Sequence, residues 1–293
     1  MALDQRRLRY FLIPHPDDEF SAWSLVNEAS QHYPVFVLLT KGEATAFADG
    51  RGLQAALGER VPRPQPFMTA GTATVKAQRL DSWHAFLDAM ATVDRRLGIA
   101  VGVTSPSPHF ELFVGPGSAR VVFDLGDGRL TPAMVTTALA RVRAIRRTHL
   151  PVSVEDDAVA AGYWNRDYPG STVYEHRDHR AVHQALWSTD HGLPGPQWGR
   201  TARSDPDAVR AGRTAVMDAA VYDAAMAVSP PPPDPAVNPA ARRIGSLQRC
   251  YGWLREDYWP GGELDDTGVF SRSQTFWSRF APNLRRRPTA PVR

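Results

Sequence analysis

Short apolar runs alternate with longer stretches of helical spacing through the first half of the chain. Leu8-Arg9-Tyr10-Phe11-Leu12-Ile13 reads as a buried strand closed by Pro14, and residues 34 to 40 read as a second. Between them, Glu19 opens a helical segment through Asn27. Residues 76 to 92 place Leu80, Trp83, Phe86, Leu87 and Met90 at helical spacing. Strand, helix, strand, helix is the order that builds a parallel sheet, because parallel neighbours need a crossover between them. Residues 99 to 104, 110 to 114 and 120 to 125 read as further strands, the last two as antiparallel additions. Residues 131 to 148 read as a helix begun by Thr131-Pro132. The expected class is α/β with a mostly parallel sheet. No Gly-x-Gly-x-x-Gly follows the first strand, so a dinucleotide site has no support there.

The first strand hands the chain to His15-Pro16-Asp17-Asp18-Glu19 at what should be the carboxyl edge of the sheet, where open α/β sheets place their ligands. An imidazole beside two carboxylates gives a borderline cation such as zinc one nitrogen and one oxygen, and a third ligand must come from elsewhere. Tyr174-Glu175-His176-Arg177-Asp178-His179 offers it. The bland rival is a solvated turn whose aspartate caps the following helix by accepting from its free amides. His183 competes with His179, since residues four apart share one helix face. The other histidines, His32, His84, His109, His149 and His191, have no partner at ligand spacing and default to structural roles.

These two segments together resemble the LmbE-like or PIG-L-type zinc N-acetylglucosaminyl deacetylases, sharply over residues 8 to 43 and 172 to 187 and diffusely elsewhere. The shared signatures are a His-Pro-Asp-Asp turn after the first strand and a distal His-x-Asp-His. The resemblance implies a Rossmann-like α/β sandwich with long loops around a metal site holding one Zn²⁺ per chain. It places the metal on His15, Asp18 and His179, makes Asp17 the general base, and sets His176 at the reacting carbonyl as acid or electrostatic stabiliser. Tyr174 becomes a donor to the oxyanion. Asp178 either fixes the His176 tautomer or is a solvated helix residue. Gly42-Glu43 and Arg79 also match the family, which implies substrate contacts at Glu43 and Arg79; Ser82 stands where the family has a glutamate.

The chemistry asks for these residue types. Three protein ligands leave zinc one position for a water whose pKa falls to about 7, and a free carboxylate such as Asp17 can take its proton during attack on an amide. The implied activity is removal of acetyl from an N-acetylglucosaminyl group on a natural product, with a glycopeptide antibiotic precursor as the expected substrate. Alternatives are an amidase of thiol-sugar conjugates and a non-catalytic carbohydrate-binding protein on the same fold. A base beside the ligands argues against the last of these.

Composition narrows the class. With 293 residues and 43% hydrophobic content the chain can bury one full core, so residues 1 to 284 are expected to form a single domain. The Arg285-Arg286-Arg287-Pro288 run in residues 285 to 293 reads as a disordered basic tail. Arginine supplies all but two of the 34 basic residues, Lys41 and Lys76 being the exceptions, but 31 acidic residues leave a net charge of only +3. That is no nucleic-acid footprint. No apolar run approaches a membrane span or a signal peptide, so a cytoplasmic enzyme with a small glycosylated substrate is expected. Cys250 is the only cysteine, which removes internal disulfides and thiolate metal sites.

Three irregular stretches are expected to shape the substrate pocket or its surroundings. Residues 44 to 75 and 188 to 213 should flank the mouth of the metal site, and Ser229 to Pro239, with six prolines, reads as an extended linker. The aromatic region from Tyr251 to Trp259 is either core or a platform for sugar and aryl rings.

Overall fold

The computed structural model describes residues 6–16, 18–19, 26, 31–44, 70–104, 107–161, 176–193, 197–201 and 274–277. Its centre is one eight-stranded mixed sheet in the order β3-β4-β5-β2-β1-β6-β7-β8. The strands are β1 (Arg7–Ile13), β2 (His32–Leu38), β3 (Val101–Gly102), β4 (Glu111–Val114), β5 (Ala119–Val122), β6 (Glu155–Ala160), β7 (Gln197–Thr201) and β8 (Gln274–Trp277). Strands β5, β2, β1, β6 and β7 run parallel, and antiparallel neighbours extend both ends of that block. The helices are α1 (Ala73–Val93), α2 (Pro132–His149) and α3 (Arg177–Ser188). The α/β class and the parallel centre are as expected from the order of elements.

The two central strands are buried on both faces and, apart from Arg9, apolar there. In β1, every residue from Leu8 to Ile13 is buried, and in β2 every residue from Tyr33 to Leu38 is. Continuous apolar runs are what a parallel strand covered on both sides requires. Their register, Arg7 opposite His32 through Ile13 opposite Leu38, brings both strands to the same edge. The carboxyl end of β1 therefore delivers Pro14 and His15 beside Leu39 and Thr40. Two backbone bonds seal the exit, from Leu39 N to the Ile13 carbonyl at 2.9 Å and from Thr40 N to the Pro14 carbonyl at 3.1 Å.

Helix starts follow side-chain chemistry. Thr72 caps α1 by accepting from the Val75 amide, and Thr131 caps α2 by accepting from Met134, with Pro132 preset for the first turn. Of the buried stripe expected on α1, Trp83, Phe86, Leu87 and Met90 are inside, but Leu80 is only half-buried. Arg79 takes the buried place beside it, for a reason that belongs to the site.

Three expectations need correction. The strand near residue 120 is not an antiparallel addition: β5 pairs parallel with β2 over Val35–Leu38 and antiparallel only with β4, and its four residues are all buried, as a central strand demands. Strand β6 was not expected, because Glu155, Asp156 and Asp157 open it. Strand β7 falls within 188 to 213, which the sequence suggests is irregular. The segments 45–69, 202–213 and 229–239, the aromatic cluster at 251–259, the basic tail, Asp17 and Tyr174 lie outside the described residues, as does the Ser82 side chain. No helix among the described residues is long and apolar enough to cross a membrane.

Candidate metal centre

His15 leaves β1 in a tight turn that it closes on itself. Its amide donates to Asp18 Oδ2 at 3.0 Å, and the Asp18 amide returns a bond to the His15 carbonyl at 3.2 Å. The prolines on either side remove competing donors and leave their carbonyls to neighbours. Thr40 Oγ1 donates to the Pro14 carbonyl at 2.8 Å, and Arg79 donates to the Pro16 carbonyl at 2.7 Å.

The described ligating side chains meet around Asp18, which is 2% exposed. One of its oxygens lies 3.1 Å from His15 Nδ1 and the other 3.3 Å from His179 Nε2. Donor atoms sharing a tetrahedral zinc with bonds of 2.0 to 2.1 Å stand about 3.3 Å apart, a spacing that each of these two nitrogen–oxygen pairs matches. The rings of His15, His176 and His179 have centroids 4.7 to 5.5 Å apart. Two sets of three groups have ligand atoms within 4.8 Å of one another: His15, His176 and His179, and His15, Asp127 and Asp178. Neither Asp18 nor His183, both buried, enters either set; Asp18 is tied to the cluster by its contacts with His15 and His179.

Asp127 and Asp178 hold the far nitrogen of His15. Nε2 stands 3.1 Å from Asp127 Oδ1 and 3.0 Å from Asp178 Oδ2. Both carboxylates are themselves fixed by backbone donors: Gly128 N at 2.7 Å and Leu130 N at 2.9 Å on Asp178, and Ala44 N at 2.7 Å on Asp127. An acceptor on one ring nitrogen makes the other available as a ligand, the arrangement that orients metal-bound imidazoles. The Asp178 carboxylate thus serves His15. The Asp178 amide donates to His176 Nδ1 at 3.3 Å and makes His176 the N-cap of α3.

The electrostatics would suit a cation. Three carboxylates, those of Asp18, Asp127 and Asp178, face one imidazole in a buried volume. Burial alone would lower the His15 pKa, but hydrogen bonds from the ring to Asp127, Asp178 and Asp18 carry it well above the usual histidine value. A proton and a metal compete for that charge. Burial penalises each carboxylate's charge, yet Asp18 is lowered by His179 and His15, and Asp127 and Asp178 by the His15 hydrogen bond. Burial pushes His179 down to about 4, and it lowers His176 together with the charge on His15, so both rings are neutral at pH 7. Neutral nitrogen beside anionic oxygen is the donor set a divalent metal takes.

Two residues expected at the substrate have other engagements. Arg79 is 3% exposed, holds the Pro16 carbonyl, and lies so close to Gly42 that a Cβ there would come within 2.4 Å of its Nε. Glu43 Oε1 is 3.4 Å from Lys76 Nζ and accepts from the Asp127 amide at 3.4 Å. Both brace the loops that carry His15 and Asp127. Asp127 was not foreseen from the sequence; its one signal is the Gly126-Asp127-Gly128 turn just past β5, at the sheet edge that also bears His15. The chain matches no family model and no curated protein.

Proposed function

We propose that this chain is a zinc-dependent amidohydrolase of the LmbE-like type with a Rossmann-like sandwich, removing acetyl from an N-acetylglucosaminyl group on a natural product. The observation that carries the reading is the convergence of His15 Nδ1 and His179 Nε2 on the two oxygens of buried Asp18. His15, Asp18 and His179 are the proposed ligands, one Zn²⁺ per chain. A divalent cation held there supplies Lewis acidity to an amide carbonyl and acidity to an attacking water.

The chain's own groups divide the remaining work. Asp178 and Asp127 keep His15 oriented. His176 stands beside His15 and His179 with Nδ1 engaged by a backbone amide, so its proton sits on Nε2, a neutral donor suited to a developing oxyanion. Asp17, next to a ligand in sequence, is assigned as general base, and Tyr174 as a second oxyanion donor, both on the sequence motifs. The choice of a glycopeptide antibiotic precursor rests on the sequence resemblance and on the long irregular stretches that the sequence alone suggests flank the site.

Two measurements on the metal-loaded protein test this. Elemental analysis should find about one zinc per chain, lost in His15→Ala, Asp18→Ala and His179→Ala and kept in His183→Ala and His176→Ala, since loss of one of three ligands removes most of the affinity. Incubation with N-acetylglucosaminylated compounds should release acetate and a primary amine in equal amounts. Zinc retention without His179, or binding of the sugars with no acetate, would overturn the ligand set or the activity respectively.

A further inference from the structure

The opposite end of the sheet carries a different kind of site. Where β1 and β2 begin, about 20 Å from the metal centre for strands of seven residues, a cavity of about 330 Å³ opens between the turn after α1 and the β4–β5 hairpin. Its polar lining is Arg6, His32, Arg95 and Arg96 against a single carboxylate, Asp94. That carboxylate is already taken: Arg96 Nε reaches Asp94 Oδ1 at 2.8 Å and the Arg96 amide donates to the same oxygen at 3.1 Å. Arg95 is exposed and has no ion-pair partner among the described residues. Arg6 donates to the Pro116 carbonyl at 2.7 Å while its guanidinium stacks 5.3 Å from the Tyr33 ring centroid, which fixes its direction.

The walls are built rather than incidental. Gly117 packs so tightly on the turn that a Cβ would overlap the Arg96 carbonyl, and one on Gly98, at φ +62°, would come within 2.4 Å of Pro116 Cγ. Backbone therefore meets backbone where Gly117 borders the Arg96 carbonyl, and the Pro116 ring closes on Gly98 beside it. The floor is apolar, with Val26, Pro34, Leu97 and Pro116.

We propose that this cavity binds a small organic phosphate, its dianion held by Arg6 and Arg95 and its organic part seated on the apolar floor. Phosphate brings close to two charges and three acceptor oxygens, and the planar fork of arginine matches such oxygens in pairs. The volume lies at the small end of ligand pockets. The C-terminal dipole of α1 draws cations to residues 94 to 96, but Arg96 and Asp94 already answer each other there, and the dipole does not account for Arg6 arriving from the other side.

Isothermal titration of the full-length protein at low ionic strength with glucose 6-phosphate, and with glucose as the uncharged comparison, tests the site. The expected result is saturable binding of one glucose 6-phosphate per chain and none of glucose. Arg95→Glu should weaken it at least about tenfold, the scale of one charge-assisted hydrogen bond. Arg147→Glu, an exposed reversal on α2 outside the cavity, should leave it unchanged, and so should His179→Ala, which removes a proposed metal ligand. Binding that survives Arg95→Glu, is lost in His179→Ala or falls equally in Arg147→Glu would overturn the proposal, as would no binding at all.

Discussion

Asp178 Oδ2 lies 3.0 Å from His15 Nε2 although 163 residues separate them in the chain. The contact joins the start of α3 to the end of β1, and two backbone amides, of Gly128 and Leu130, point at the same carboxylate. Both oxygens accept, Oδ2 from Gly128 and the His15 ring and Oδ1 from Leu130, so an NH₂ group in either position faces a donor. Asp178→Asn puts an amide NH₂ among them, so His15 loses its partner or its orientation. The expected outcome is a 10- to 100-fold loss of zinc affinity, roughly the usual effect of removing a carboxylate behind a metal-bound histidine. Competition with a chromogenic chelator measures it. Unchanged affinity would mean that Asp127 alone orients the ring.

The brace from Arg79 is testable through a glycine. Gly42 has φ +65°, and a methyl group there collides with the guanidinium that holds the Pro16 carbonyl. Gly71 has φ +82° with nothing near its missing Cβ, so Gly71→Ala reports backbone strain alone. Each substitution should cost about 1 kcal/mol for the left-handed conformation. Only Gly42→Ala should also weaken zinc binding, because it displaces Arg79 from the metal turn. Equal zinc affinity in the two variants would return Arg79 to a role at the substrate.

The metal turn was legible because its ingredients are local: an apolar strand, a proline stop and a His-x-x-Asp spacing in one stretch of chain. The distal pair His176 and His179 was legible by type and not by partner. What Asp178 does depends on the α2 approach, where Gly128 and Leu130 aim their amides at it, and no spacing in the sequence encodes that. Strand β6 hides behind Glu155, Asp156 and Asp157, residues that disfavour strands when read alone. In the fold, Arg143 and Tyr10 bind Glu155, Arg9 and His32 bind Asp156, and Arg9 reaches Asp157, so long-range charge pairing overrides local preference. His32, given only a structural role from sequence, has one here.

A pH effect on stability should come from His84, away from the metal. Its Nδ1 stands 3.2 Å from an Arg120 guanidinium nitrogen, and its ring lies 4.5 Å from Phe113 and 5.2 Å from Trp83. Burial, then the Arg120 charge, lowers its pKa to about 4, against the partly opposing pull of Asp88 and Glu111 and with a small push from Lys41. The unfolded chain takes up this proton near pH 6.5, so the stabilising difference is complete above that value and is lost as pH falls toward 4. The expected loss from pH 7 to pH 5 is about 2 kcal/mol, and it should vanish in His84→Gln, which keeps an acceptor but does not titrate. Urea unfolding at the two pH values reads it. A slope of the same size in His84→Gln would assign it to other groups.

Base and oxyanion donor should respond differently to substitution. Asp17→Asn should bind zinc normally and lose on the order of 10²- to 10⁴-fold in turnover, the contribution of a positioned general base. His176 should behave differently in its pH dependence. As N-cap of α3 it accepts the Asp178 amide on Nδ1, and a ring protonated on both nitrogens could not. Burial and the positive end of the helix dipole also disfavour its charged form. On the proposed reading it would act as a neutral donor, and its removal should cost oxyanion stabilisation, about 10²- to 10³-fold in kcat. Because no imidazolium of His176 takes part, His176→Gln should lower kcat at every pH and leave any alkaline limb of the profile in place. Disappearance of that limb in His176→Gln, with zinc still bound, would show that His176 delivers a proton to the leaving amine.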